Sequence, residues 1–466
     1  MFKSALLICL ILLFSTQLFG QVDTTPAPTP PMGWNSWNYH GKANINEQVV
    51  RETIDAMVES GLRDAGYEYV VVDGGWRDRT LDEDGRLVPH PEKFPNGIKP
   101  LADYAHEHGL KFGLHTVPGS HDCGGDQVGG MGHEEAHIEQ FVEWGLDFIK
   151  VDKCILRSKW TEPLVQETYE KWNDLLTESD RNIVLSISAY EWRDWYPETC
   201  QMSRTTYDIH CRIHRGGAMF DTPSRHSVMS IATKNNEVAD LAGDGYWNDP
   251  DMIITGDHGL NFEEQKSHFA LWCVMSAPLM LGNDPRNMTD EEKEIVLNAD
   301  CIAIDQDPTE QGQRIQADGD GEVWAKQMTD DRVAVLLLNR NAEESRSIEF
   351  NPSDVGLDGF YIAKDAYGKQ DLGVLNGPII RETPPHGCHL LILSPAVAES
   401  HLNETPPNVV LILTDDLRYS DVGCYGATRV DTLTIDRLQS QHSHKPPRAI
   451  TTYNLFMIMQ IVSYAT

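Results

Sequence analysis

The chain has 466 residues and carries 38 Lys and Arg against 71 Asp and Glu, a formal net charge of −33. That length holds a large barrel and a second domain. So large an acidic excess repels polyanions, which excludes nucleic acid and anionic membrane surfaces as partners and makes an uncharged substrate the easier fit.

Met1, Phe2 and Lys3 precede an apolar run from Ala5 to Phe14, with Gly20 as the small residue where cleavage would fall. This is the layout of a secretory signal peptide, so residues 1–20 are expected to be removed and the protein exported, periplasmic or secreted. No other run reaches the length of a membrane span. Eight cysteines remain after Cys9 is lost, and export permits disulfides among them. Residues 21–31 are rich in proline, which cannot donate to a ladder, and are expected to form an extended linker.

Short apolar runs then alternate with helical patterns. The strand-like runs are 31–38, 67–76, 111–117, 146–154, 182–190, 202–209, 246–253 and 278–283. The first intervening helix is typical: Asn46 can cap it, Val49, Val50, Ile54, Met57 and Val58 form its apolar stripe, and Gly61 suits its end. Eight strands alternating with helices predict a (β/α)8 barrel over residues 32–310. Over 311–398 the pattern changes to alternating strands, including Val333–Asn339 and the run 387–393, which predict a small antiparallel β-sandwich. Residues 399–466 begin with one strand ending at Asp415 and Asp416, and the terminal stretch from Tyr453 offers it no partner elements.

The fourth strand-like run delivers Lys150 and Asp152 to its C-terminal end. Residues i and i+2 share a strand face, so a cation and a carboxylate point into one space, and in a parallel barrel that end is where chemistry occurs. A buried ion pair that only fixes the strand is the plainer alternative. His133, Glu134 and His137 fit the helical zinc-protease spacing, but no third ligand is evident, and the segment reads as the solvated, acid-rich first turn of a helix. No metal or organic cofactor is expected. Cys200 and Cys211 read either as a second disulfide or as free thiols, whereas Cys273 and Cys301 sit in apolar runs and read as buried residues.

Four motifs occur in order: Pro31-Met-Gly-Trp-Asn-Ser-Trp37, Lys150-Val-Asp152-Lys-Cys154, Arg204-Thr-Thr-Tyr-Asp208 and Trp247-Asn-Asp-Pro-Asp251. With them, residues 30–395 resemble glycoside hydrolase family 27, the α-galactosidases and α-N-acetylgalactosaminidases. The resemblance implies a barrel with a C-terminal β-sandwich and a retaining mechanism, with Asp152 as nucleophile and Asp208 as acid/base. Retention needs two carboxyl groups about 5 Å apart, one ionised and one protonated. Lys150 favours the ionised form of Asp152, and a poorly paired Asp208 could keep its proton.

By the same resemblance Trp37, Asp73, His115, Cys123, Lys150, Glu191, Arg204 and Asp251 fall on sugar-pocket positions. Glu191 stands where the family sorts a 2-hydroxyl from a 2-acetamido group, and Cys123 pairs with Cys154. Two departures bear on the glycone: Gly74 stands where the family has a second aspartate, and His115 where it has a tyrosine. The expected activity is release of terminal α-galactosyl residues from a carbohydrate substrate. A modified galactose or a β-L-arabinopyranoside is the alternative glycone, and a non-catalytic sugar-binding barrel the alternative class. Residues 407–426 are similar to the start of a sulfatase domain, without the nucleophile motif that such an enzyme requires.

Overall fold

The computed structural model describes residues 26–154, 161–189 and 191–396, and the backbone of the strands Asn408–Val409 and Ser463–Tyr464. The expected signal peptide and, apart from those short strands, the sulfatase-like segment lie outside the described residues.

Ten strands precede residue 282: β1 (Met32–Asn35), β2 (Tyr69–Val72), β3 (Arg77–Leu81), β4 (Leu87–Pro89), β5 (Lys111–Thr116), β6 (Phe148–Asp152), β7 (Val184–Ser188), β8 (Met202–Arg204), β9 (Trp247–Asp249) and β10 (Leu279–Leu281). Eight form one parallel sheet in the order β10-β1-β2-β5-β6-β7-β8-β9, and a bridge between Ile253 and Leu281 brings its ends together. All eight strand-like runs of the sequence supply one of these strands. The antiparallel hairpin β3-β4 is an insertion that the alternation of strands and helices did not reveal.

The side chains of this sheet separate by the period of two that a strand imposes. Val70, Val72, Phe112, Leu114, Ile149, Val151, Leu185 and Ile187 belong to the large core that includes the helices. Their alternates Tyr69, Val71, Phe148, Val184, Met202, Trp247 and Met280 form a separate cluster that fills the barrel. Large rings there need small neighbours. A Cβ on Gly113 would lie 2.8 Å from the Cβ of Phe148, whose ring packs 5.5 Å from that of Tyr69.

The helix Glu47–Glu59 starts at Asn46, whose side chain accepts from the Val49 amide, and buries Val50, Ile54 and Met57. The second half of the proline-rich lead is docked rather than free. Trp247 Nε1 donates to Ala27 O at 2.9 Å, and Gln306 Nε2 donates to Pro30 O at 2.9 Å. At the start of the helix Glu134–Trp144, His133 and Glu135 are exposed as expected, but Glu134 and His137 are covered. His137 is fully buried, with Nε2 3.2 Å from Gly85 O, and Glu134 takes Lys171 at 3.0 Å.

Eight further strands follow: β11 (Gln313–Asp318), β12 (Gly321–Gln327), β13 (Val333–Asn339), β14 (Arg346–Phe350), β15 (Phe360–Asp365), β16 (Gln370–Asn376), β17 (Ile379–Thr383) and β18 (Cys388–Pro395). They form a six-stranded antiparallel sheet, β11-β12-β13-β18-β15-β16, and the pair β14-β17. Val323, Val335, Leu337, Phe350, Leu391 and Leu393 pack between these layers, while Trp324, Leu336, Leu338 and Leu390, on the opposite face, join the core of the barrel. The helix Phe262–Val274, covered on nearly every side, contacts this sheet.

Val397–Thr466 form a second unit. Within it, Asn408–Val409 pair antiparallel with Ser463–Tyr464, so the terminal stretch does meet the strand for which the sequence offered no partner. Cys200 and Cys211 are buried free thiols, which removes the alternative of a second bridge, and Cys273, Cys301 and Cys388 are buried free thiols as well.

Candidate active site

At the C-terminal ends of the strands the inward positions change from apolar to polar. The face that carries Tyr69 and Val71 continues to Asp73, that of Gly113 to His115, that of Phe148 to Lys150 and Asp152, and that of Met202 to Arg204. Parallel register brings these residues level. His115 pairs with Lys150, Lys150 with Ser186, Asp152 with Ser188, and Arg204 with Asp249.

Two charge clusters result. In the first, Lys150 Nζ donates to Asp73 Oδ2 at 2.8 Å, and His115 Nε2 lies 3.7 Å from Asp152 Oδ2 and 4.0 Å from Asp73 Oδ1. Asn35 Nδ2 also donates to Asp73 Oδ2 at 3.1 Å, and Ser36 Oγ accepts from the Asp73 amide at 2.9 Å. Burial alone would raise the Asp73 carboxyl, but Lys150 and then His115 more than offset it, so Asp73 is held well below the ordinary carboxylate range. Burial works against the Lys150 ammonium in the same way, and the carboxylates of Asp73 and Asp152 outweigh it and hold the amine above its ordinary range.

In the second cluster Arg204, 1% exposed, divides its guanidinium between two carboxylates: Nη1 is 3.2 Å from Asp208 Oδ1 and Nη2 3.2 Å from Asp251 Oδ2. Asp208, expected to be less well paired than Asp152, meets Arg204 at 3.2 Å while its side chain remains 50% exposed. Asp251 is fixed by its backbone. It adopts φ 91°, in the left-handed region, while its Oδ2 accepts from the Ile209 amide at 2.7 Å and its carbonyl accepts from Trp272 Nε1 at 2.7 Å. Such strain persists only where surrounding bonds over-determine the residue. Burial raises the Asp251 carboxyl above its ordinary range; Arg204 opposes this, and the charges of Asp208 and Asp249 add to it.

Cys123 and Cys154 form a disulfide with Cα atoms 4.7 Å apart, tying the loop after β5 to the residue two beyond Asp152. Trp37 packs partly buried against the barrel interior, and its Cζ3 would lie 3.4 Å from a Cβ on Gly74. That is an ordinary van der Waals separation, so space for a side chain at position 74 is present. Glu191 has its carboxylate 3.9 Å from Arg193, with 63% of the side chain exposed.

Sequence reasoning missed four contributors: Asn35, Ser36, Asp249 and His226. The first three lie inside quoted motifs and could have been found by asking what each polar residue within an apolar strand contacts. His226, whose Nδ1 lies 2.6 Å from Asp208 O, is distant in the chain and left no local signal.

An acidic group beside a lysine, and a second beside an arginine shared with a strained aspartate, can supply a nucleophilic carboxylate and a proton donor on the two sides of a bound sugar. The comparisons agree with that chemistry. Residues 29–307 match the family described as alpha galactosidase A, and residues 318–393 the alpha galactosidase C-terminal beta sandwich domain. The α-galactosidase of Cyamopsis tetragonoloba is 39% identical over 376 residues, covering 79% of this chain and 86% of that protein. Among solved structures, α-galactosidase I from Mortierella vinacea superposes with a TM-score of 0.75 at 30% identity, covering 79% of this chain and 98% of that one. The GH27 β-L-arabinopyranosidase from Geobacillus stearothermophilus superposes with a TM-score of 0.71 at 25% identity, covering 81% and 99%. By strands, site and relatives together, the chain belongs to the α-galactosidase family, glycoside hydrolase family 27.

Proposed function

We propose that the protein is an exported, retaining exo-α-galactosidase that cuts terminal α-galactosyl residues from oligo- or polysaccharides. The observation that carries this reading is the placement of Asp152 and Asp208 at the same end of the barrel, each with its own cation nearby. Asp152 attacks the anomeric carbon. His115 lies 3.7 Å from the Asp152 carboxylate, and Asp73, held ionised by Lys150, accepts hydrogen bonds from sugar hydroxyls. Asp208 protonates the leaving oxygen and afterwards takes a proton from the attacking water. Arg204, anchored on Asp251, orients Asp208 and stabilises the negative charge left after proton transfer. Trp37 offers the sugar an apolar face, and Glu191 accepts from a 2-hydroxyl. The Cys123–Cys154 bridge fixes the rim and accords with export from the cytoplasm. The domain division is proposed as residues 1–20 signal peptide, 32–310 catalytic barrel and 311–398 sandwich, with 399–466 contributing nothing to turnover.

Hydrolysis of a nitrophenyl α-galactoside followed by proton NMR tests the reading. The first sugar released is expected to be the α-anomer, and Asp152→Ala is expected to lose activity by several orders of magnitude while remaining folded. Release of the β-anomer first, or full turnover by Asp152→Ala, would overturn it.

A further inference from the structure

The segment that carries the acid/base is richer in cations than the rest of the chain. Residues 204–234 contain five Lys and Arg and only two Asp, within a chain whose net charge is −33. Arg204 is spent on Asp208 and Asp251, but Arg212, Arg215, Arg225 and Lys234 are exposed. The nearby acids are partly accounted for. Asp221 is held by Arg340 at 2.8 Å, Glu191 faces Arg193 at 3.9 Å, Asp257 faces Arg212 at 3.5 Å, and Glu237 pairs with Lys234 at 2.5 Å.

Two of these cations, Arg225 and Lys234, line a cavity of about 580 Å³, together with Glu191, Trp192, Tyr207 and Ser230 among others. Tyr207 directly precedes Asp208, and the Arg225 guanidinium lies 3.9 Å from the centroid of the Tyr207 ring. The next residue, His226, places Nδ1 2.6 Å from Asp208 O, and its own carbonyl accepts from the His210 amide at 3.1 Å. The cavity wall is thereby tied to the acid/base segment. His210 is stacked between His214 and His226, at centroid separations of 4.7 and 4.4 Å.

We propose that this cavity is the subsite for the leaving-group sugar and that it takes an anionic one, a residue bearing a sulfate ester or a carboxylate. The proposal rests on the glycosidase reading in one respect only: Asp208, as proton donor, puts the leaving group on its own side of the bond. Trp192 supplies an aromatic face for a sugar ring, and Arg225, laid over the Tyr207 ring, and Lys234, whose ammonium also meets Glu237, supply donors that meet an anionic oxygen with charge-assisted bonds. The acidic remainder of the molecule does not cancel this local attraction, because charges farther apart than about 8 Å are largely screened at physiological ionic strength. The overall acidic balance that favours a neutral glycone thus does not extend to the sugar beside it.

Calorimetric titration of the full-length Asp152→Asn protein with three tetrasaccharides tests the proposal: a neutral galactan, its sulfated counterpart and a galacturonan. At least one anionic probe is expected to bind about tenfold more tightly than the neutral one at low salt, with the preference falling below about twofold near 0.5 M NaCl. The preference should also vanish in Arg225→Gln/Lys234→Gln and survive in Arg225→Lys; whichever anion binds better identifies the group. Equal or tighter binding of the neutral probe, or a preference that persists in the double variant, would overturn the proposal. Turnover of a nitrophenyl α-galactoside by the unaltered protein is measured separately. Its absence alongside a charge-dependent preference would strike the glycosidase reading and with it the leaving-group assignment, and leave this cavity as a site for an anionic sugar.

Discussion

By the family resemblance, Gly74 stands where a second pocket aspartate is expected. Its backbone is not left-handed, and a Cβ would meet only Trp37, at ordinary contact distance, so neither strain nor crowding requires glycine here. Position 74 thus holds room and no acceptor. If the missing carboxylate leaves a sugar hydroxyl without a partner, Gly74→Asp restores one buried hydrogen bond, and kcat/KM on a plain α-galactoside should rise about tenfold. A fall instead would show that Asp73, Lys150 and His115 already satisfy plain galactose and that a second carboxylate only repels Asp73. Other residues differ in how plainly the sequence announces them. Lys150 and Asp152 were legible from the two-residue period of one apolar run. The left-handed backbone of Asp251 was not, since nothing in Trp247-Asn-Asp-Pro-Asp251 requires it; it follows from bonds made to Ile209 and Trp272.

Strands buried on both faces are nearly continuous apolar runs, which is why all eight barrel strands could be found in order. The elements that escaped notice have weaker patterns. Strand β3 is largely polar and its partner β4 only three residues long, and β11 and β16 expose most of their residues, so none leaves a clean alternation. Contacts between elements were less legible still, and Lys326 of β12 is the clearest case. It is fully buried, and its Nζ donates to the carbonyls of Ile304, Asp305 and Asp307 at 2.6, 3.4 and 3.0 Å, capping the C-terminal end of the helix Ala299–Asp305. One sandwich side chain therefore closes the last helix of the preceding domain. Lys326→Met keeps the aliphatic stem but leaves those carbonyls without their donor, and should cost roughly 2 to 4 kcal/mol. Calorimetric unfolding would reveal it as a lower Tm; an unchanged Tm would mean that water replaces the ammonium without penalty.

For the molecule as a whole, acid acts in two opposed ways. With 71 Asp and Glu against 38 Lys and Arg, protonation relieves self-repulsion as pH falls. Buried imidazoles act in the other direction. Burial holds His40, His137 and His258 down at about 4 and His268 at about 3, against an ordinary value of 6.5. Each binds its proton more readily in the unfolded chain, so its contribution to stability is complete above pH 6.5 and is lost as pH falls through the folded value. Asp73 has a depressed value too, but its loss begins only within the ordinary carboxylate range, below that of the histidines. Relief of repulsion sets in over that same lower carboxylate range. Between about pH 6.5 and 5 the four histidines are opposed by the buried carboxyls of Asp251, Asp305 and Asp249, which burial raises so that they take up protons first in the folded chain; the imidazoles outnumber them, and Tm should decline over that interval. Scanning calorimetry at half-unit steps from pH 7.5 to 4.5 would check this. His268→Gln, which removes the most depressed of the four, should flatten the decline; a Tm that rises on acidification through this interval would show that charge relief dominates the molecule and that the buried histidines do not set its acid limit.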